Sequence, residues 1–332
     1  ILFNPTLQIT NNPCGINSPH LRPQLTVPTM RFFAGACALF IAAVSCTEGV
    51  RHKVYGPTSY EKPVDIPVDL HELSQAVGCA QQTYCGLNIE GQKVGDAKLV
   101  WTKHLGLFAQ RTNIYHSDRL GVVVAFEGTT KSPFSILKDA NPILAEPKGC
   151  LANALEDGAK LMSSFQDAYL QVQSEVKDEV KKVMDQYHES RITVTGHSLG
   201  AAMATICGID LHMNLHPVYR VFGFGCPRIG NVQFANSIDN NLKGRYFYIV
   251  NGQDWVPHQP PRDLGYQHAS GQIWINPVNS IHWKLYPGQE NHYGSNSVIQ
   301  KITFADHHGV YFHSGLGHGL NAGECPAKVD DK

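Results

Sequence analysis

Gly196-His197-Ser198-Leu199-Gly200 sets a serine between two glycines at the point where a strand pattern gives way to a helix pattern. Ile192 and Val194 are β-branched and alternate with polar residues, whereas residues 201–211 are rich in helix formers and contain no proline. This context predicts a nucleophile elbow, a turn so tight that the serine Oγ is pushed clear of the sheet. Gly196 and Gly200 remove the Cβ atoms that would collide where strand and helix cross, and Ala201 and Ala202 keep the crossing slim. A chain with such a turn is constrained to an α/β architecture whose chemistry sits at the carboxyl ends of parallel strands.

A serine nucleophile needs a base and an orienting acid, and on this scaffold they follow in the order Ser, Asp or Glu, His. Residues 245–250 read as a buried strand, and Asn251-Gly252-Gln253-Asp254 turns off its end, with Trp255-Val256-Pro257 placed to shield the carboxylate. Asp254 is therefore the expected acid. Asp210, Asp239 and Asp263 read as solvated residues. For the base, the pair His307-His308 follows the apolar stretch 298–304, and one of the two can face the elbow. The glycine and aromatic pair after His308 favour it by position over His307. His197 reads as packing beside the site; His258, His268, His282 and His292 read as surface or hydrogen-bonded loop residues. His308, His313 and His318 are five apart and superficially suit zinc, but no cysteine pair or H-E-x-x-H completes a ligand set, so no metal is expected.

The developing oxyanion needs backbone N–H donors. The elbow offers that of Leu199. Residues 121–126 form a continuous apolar strand ending in Glu127-Gly128-Thr129-Thr130, where Thr129 offers an amide and a hydroxyl; a simple Gly-Thr turn is the plainer alternative. Just beyond, residues 131–144 alternate apolar and polar side chains, and Phe134, Ile136 and Leu137 suit a short lid over an apolar trough, or anchors of an ordinary surface loop.

Five ordered motifs together resemble the secreted fungal lipases of the class 3 type. They are the Gly-His-Ser-Leu-Gly elbow, the Gly128-Thr129 loop, Phe222-Gly223-Phe224-Gly225-Cys226-Pro227-Arg228-Ile229-Gly230-Asn231, the Asp254-Trp255-Val256-Pro257-His258 turn, and His308-x-x-Tyr311-Phe312. The likeness runs over roughly residues 65–326. It implies an α/β-hydrolase fold, with a central, mostly parallel sheet flanked by helices. It further implies Ser198 as nucleophile, Asp254 as acid, His308 as base, Thr129 and Leu199 as oxyanion donors, and a Cys85–Cys325 disulfide. Residues 113–117, 264–268 and 284–291 look most like the fungal mono- and diacylglycerol lipases. Cys226 departs from the pattern, since many relatives carry Gln or Ser before the Pro-Arg.

The expected activity is hydrolysis of acylglycerols at a lipid–water interface by a monomer that touches the lipid surface only peripherally. Within enzymes the alternative is an esterase for another ester, such as a feruloyl ester; from another class it is a catalytically silent lipid-binding protein. The 332 residues are 42% hydrophobic and 17% charged, and a net charge of −1 gives no basic footprint for nucleic acid. Gly223-Phe224-Gly225 lacks the remainder of a dinucleotide loop, and no cofactor is expected.

Residues 1–29 hold five prolines and no methionine, and read as translated upstream sequence or a disordered leader. Met30-Arg31 precedes fifteen apolar or small residues, a signal-peptide core too short for a membrane span. Cleavage after Cys46 would leave a single domain, 47–332, with six cysteines and no Asn-x-Ser/Thr acceptor, suited to an oxidising, extracellular compartment. Cys207 reads as a free core thiol. Asp69 with Glu72 predicts a helix through about Tyr84, and residues 160–187 a single long amphipathic helix whose charged face, Glu175 and Lys177 included, is solvated.

Overall fold

The computed structural model describes residues 56–104, 110–129, 142–299, 304–317 and 323–329. The expected leader and signal segment, and the residues Phe134, Ile136 and Leu137 expected to form a lid, lie outside the described residues.

Nine strands form one sheet in which spatial order follows chain order: β1 Lys93–Val94, β2 Ala97–His104, β3 Arg111–Ser117, β4 Gly121–Phe126, β5 Ile192–His197, β6 Arg220–Phe224, β7 Tyr246–Asn251, β8 Gln272–Ile275 and β9 Trp283–Tyr286. β1 to β4 are antiparallel, β4 to β8 run parallel, and β9 returns antiparallel. The parallel part is the mostly parallel sheet of an α/β-hydrolase, as expected. Its strands are buried on both faces, which is why β4 reads Val-Val-Val-Ala-Phe without polar alternation. Val122, Val124 and Phe126 pack with α2 (Ser163–Leu170), α3 (Gln173–Tyr187) and α4 (Leu199–Asn214) on one face. Val123 and Ala125 meet α1 (Leu70–Thr83) on the other, beside Phe224, Ile249 and Ile273. Each large apolar side chain so buried contributes about 1.5–3 kcal/mol.

α1 begins where expected, the Asp69 carboxylate accepting the His71 N–H at 2.9 Å. The expected helix over 160–187 is instead two, α2 and α3, with a turn at Gln171-Val172. That turn aims three polar side chains at one buried carboxylate. Tyr169, Gln173 and Lys177 all donate to Asp210, at 2.6, 2.8 and 2.9 Å, and Asn214 adds a fourth bond at 2.7 Å. Asp210 is therefore fully buried, where a solvated residue was expected, and Lys177 belongs to its cage. Burial of the charge is tolerated because every donor is in place.

Cys85 and Cys325 form the disulfide that the resemblance implies, and Cys150 is also disulfide-bonded. Cys207, Cys79 and Cys226 are free and buried. Burial pushes the Cys226 thiol up to about 12, so the departure from the family pattern is a packed, inert side chain against Gly223. Among the described residues, no helix is long and apolar enough to cross a membrane.

Candidate active site

All the parallel strands end at one edge, and each ending contributes to the site. β5 runs straight into Ser198, whose φ of 58° and ψ of −125° place it in the strained conformation of an elbow. The glycines explain how this is tolerated. A Cβ on Gly196 would fall 2.2 Å from the Gly200 carbonyl oxygen, and one on Gly200 would fall 2.3 Å from that of Phe126. Ser198 N–H donates to the Phe224 carbonyl at 2.9 Å, which ties the elbow to the end of β6. The serine is 3% exposed. Leu199 opens α4, so its amide belongs to the first helical turn, where N–H groups lack carbonyl partners.

The loop after β4 lies against the elbow. A Cβ on Gly128 would stand 2.5 Å from the His197 carbonyl oxygen and 3.1 Å from Ser198 Cβ, so only glycine fits there. Thr129, the next residue, is half-buried, and among the described residues its hydroxyl has no hydrogen-bond partner.

β7 ends at Asn251 and leads to Asp254, which is fully buried as expected of an orienting acid. Asp254 Oδ1 accepts the Val256 N–H at 2.9 Å. Its Oδ2 lies 2.8 Å from Nδ1 of His307. An ionised carboxylate only accepts, so Nδ1 carries the proton and Nε2 presents its lone pair. Nε2 is buried and has no hydrogen-bond partner among the described residues.

The geometry departs from the expectation for the base. Asp254 pairs with His307, not with His308. His307 closes the helical turn Phe304–His307, and the His308 ring lies beside it, with ring centroids 5.1 Å apart, but makes no bond to Asp254 among those described. The His308 ring lies on Gly317, where a Cβ would approach its Cγ to 2.8 Å. Tyr311, expected to seat His308, instead donates its hydroxyl to the His307 carbonyl at 3.0 Å.

Two residues that sequence reasoning missed complete the geometry. Gly225, at φ 56°, lies directly under the Asp–His pair; a Cβ there would be 2.7 Å from His307 Cε1 and 3.2 Å from Asp254 Oδ2. Its signal was present in Gly223-Phe224-Gly225, immediately after a strand. His197 is more engaged than simple packing requires, with Nδ1 2.6 Å from the Tyr84 hydroxyl and Nε2 3.0 Å from the His307 carbonyl oxygen. His197, His307 and His308 each place a possible ligand atom within 4.8 Å of the others. Both nitrogens of His197 and Nδ1 of His307 are already committed to these bonds, so a metal would have to break the arrangement. Of the zinc-like trio His308, His313 and His318, the last lies outside the described residues.

Behind the site, Arg228 and Glu290 form a buried bidentate pair, with Nε to Oε1 at 2.7 Å and Nη2 to Oε2 at 2.8 Å. Arg228 Nη1 also donates to the carbonyls of His258 and Pro260. Two motif segments are thereby bolted to the turn that carries Asp254. His258 and His268, expected in surface or hydrogen-bonded loops, are part of this layer. Burial and the neighbouring Arg228 guanidinium hold the His258 imidazole down to about 4; burial likewise lowers His268 to about 3.

Strand-edge placement, a strained serine and a buried Asp–His pair define a serine hydrolase of the α/β-hydrolase type. Residues 123–264 match the family model described as lipase (class 3). The chain is 51% identical over 301 residues to a secreted mono- and diacylglycerol lipase of Malassezia restricta, covering 90% of this chain and 99% of the relative. It is 43% identical to one from Malassezia globosa, over 87% and 96%. Among solved structures it resembles a lipase from Rhizopus microsporus var. chinensis, with a TM-score of 0.65, 28% identity and coverage of 79% and 98%. It also resembles a triacylglycerol lipase whose catalytic centre is a serine protease triad, with a TM-score of 0.65, 26% identity and coverage of 76% and 97%. The chain belongs to the class 3 lipase family.

Proposed function

We propose that this chain is a secreted lipase that hydrolyses mono- and diacylglycerols, with Ser198 as nucleophile, His307 as base and Asp254 as the acid that orients it. The observation that carries this reading is the 2.8 Å bond from His307 Nδ1 to the buried Asp254 carboxylate, at the strand edge that also carries strained Ser198. His307 Nε2 takes the serine proton as Oγ attacks the ester carbonyl, a hydrogen bond that forms when substrate is bound. Asp254 stabilises the resulting imidazolium. The amides of Leu199 and Thr129 bind the tetrahedral oxyanion, the alcohol leaves with the proton held by His307, and water activated by the same histidine releases the fatty acid.

The preference for partial glycerides and the secretion rest on the likeness to the secreted mono- and diacylglycerol lipases of Malassezia. The test is a panel of emulsified mono-, di- and triacylglycerols beside a feruloyl ester, with Ser198→Ala as the control. Diacylglycerol and monoacylglycerol should be turned over fastest. Faster hydrolysis of triacylglycerol would refute the substrate class, and preference for the feruloyl ester would refute the lipase reading.

A further inference from the structure

Tyr84 follows the last residue of α1 and precedes Cys85, whose disulfide to Cys325 fixes this end of the helix. Its phenol is buried and reaches the site from the opposite side of the sheet to α4. Burial and the nearby Glu127 carboxylate push its ionisation upward, so it stays a neutral hydroxyl with one proton to give. The oxygen lies against the backbone of Gly128, the residue before Thr129, where a Cβ would fall 2.1 Å from it, and that backbone group favours its ionised form. The proton is then directed to His197 Nδ1, 2.6 Å away. With Nδ1 accepting, the neutral His197 carries its proton on Nε2, which donates to the His307 carbonyl at 3.0 Å. Tyr311 donates to the same carbonyl, so the backbone of the base is held from two directions.

We propose that Tyr84 is a positioning residue for hydrolysis: its hydroxyl joins the oxyanion loop, the elbow and the backbone of His307, and so sets the spacing between the oxyanion donors and the base. It touches neither substrate nor reacting atoms. The inference rests on the assignment of Ser198 and His307 given above. Its physical basis is that misplacing a catalytic group by about 1 Å costs on the order of 100-fold in rate, and the Tyr84 hydroxyl is the shared atom through which two such groups are registered.

Tyr84→Phe removes only that oxygen and keeps the ring edge-to-face with His197, at a centroid distance of 5.8 Å. On a soluble short-chain ester, kcat should fall about 10- to 100-fold with KM changed less than about twofold. His197→Gln keeps an N–H donor toward His307 but cannot accept from Tyr84 in the same way, and should lower kcat about tenfold or more. Combining the two should cost little beyond the worse single variant, because both break one chain of bonds. Thermal melting checks that each variant is folded. A folded Tyr84→Phe enzyme within threefold of wild type overturns the proposal, as do equal changes in kcat and KM or losses that simply multiply. Should Tyr84→Phe not fold, an unchanged kcat in His197→Gln overturns it by itself. Retained activity in Ser198→Ala would instead defeat the site assignment beneath it.

Discussion

Replacing Asp254 by asparagine tests the candidate triad at its most constrained point, because the structure dictates how the amide must sit. Asp254 is fully buried, and Val256 N–H donates to Oδ1 at 2.9 Å. Asparagine satisfies that donor only by placing its carbonyl oxygen there, which turns its NH2 toward His307 Nδ1, now 2.8 Å from Oδ2. Two donors then face each other unless His307 shifts its proton to Nε2, and in that tautomer the nitrogen facing the serine has no lone pair to accept its proton. The carboxylate that would stabilise the imidazolium is lost as well. Loss of the orienting carboxylate in a Ser-His-Asp triad lowers kcat by about 10⁴, equivalent to roughly 5.5 kcal/mol of transition-state stabilisation. Because the substitution is isosteric and fills its own cavity, the melting temperature should move by only a few degrees. Initial rates on a soluble short-chain ester, with thermal melting alongside, provide the assay. A folded Asp254→Asn enzyme losing less than about tenfold in kcat would refute the reasoning, since the acid would then lie elsewhere.

Three further outcomes follow from the same geometry. His307→Ala should lower kcat by about a thousandfold or more, and His308→Ala by less than about tenfold; the opposite ranking in the same rate assay would return the base to His308. Gly225→Ala forces a Cβ to 2.7 Å from His307 Cε1 at a positive φ of 56°. It should cost about 1–2 kcal/mol in stability by urea unfolding and on the order of 100-fold in kcat, and a rate near wild type would mean the Asp–His pair can move without penalty. His268 has its folded pKa lowered from 6.5 to about 3 by burial, so the unfolded chain binds the proton first and stability falls as pH drops from about 6.5 toward 3. By pH 5 that single group contributes a loss of about 2 kcal/mol, and His268→Gln should flatten the unfolding free energy between pH 7.5 and 5 by about that amount.

What was legible in the chain divides along physical lines. The elbow, the strand before Asp254 and the apolar run of β4 were legible because each is set by local chemistry: glycine where no Cβ fits, a turn at a strand end, or burial on both faces of a parallel strand. The cage around Asp210 was not, since its donors Tyr169, Gln173 and Lys177 lie 41, 37 and 33 residues away and converge only after the expected single helix breaks in two. Burial of a carboxylate is a property of its partners, and partners distant in sequence leave no mark beside it.

Adjacent histidines pose a harder problem, because the reasons for preferring one were sound in kind and wrong in object. A small residue and an aromatic pair do follow His308, and the structure uses Gly309 and Tyr311 in another way. Gly309 makes room for Asn279, whose Oδ1 accepts the Val310 N–H, and the Tyr311 hydroxyl holds the carbonyl of His307. These contacts fix backbone, whereas the sequence reading assigned them to seating a ring. The ring that meets Asp254 belongs to the residue that ends the helical turn, His307, and Gly225, lacking a Cβ, leaves room for it there. Gly225 in turn stands at the end of β6 because parallel strands bring their carboxyl ends to one edge, where Phe224 O also receives the Ser198 N–H. Which of the two histidines meets Asp254 therefore depends on a glycine at the end of a sheet strand, 82 positions earlier in the chain from 307 to 225.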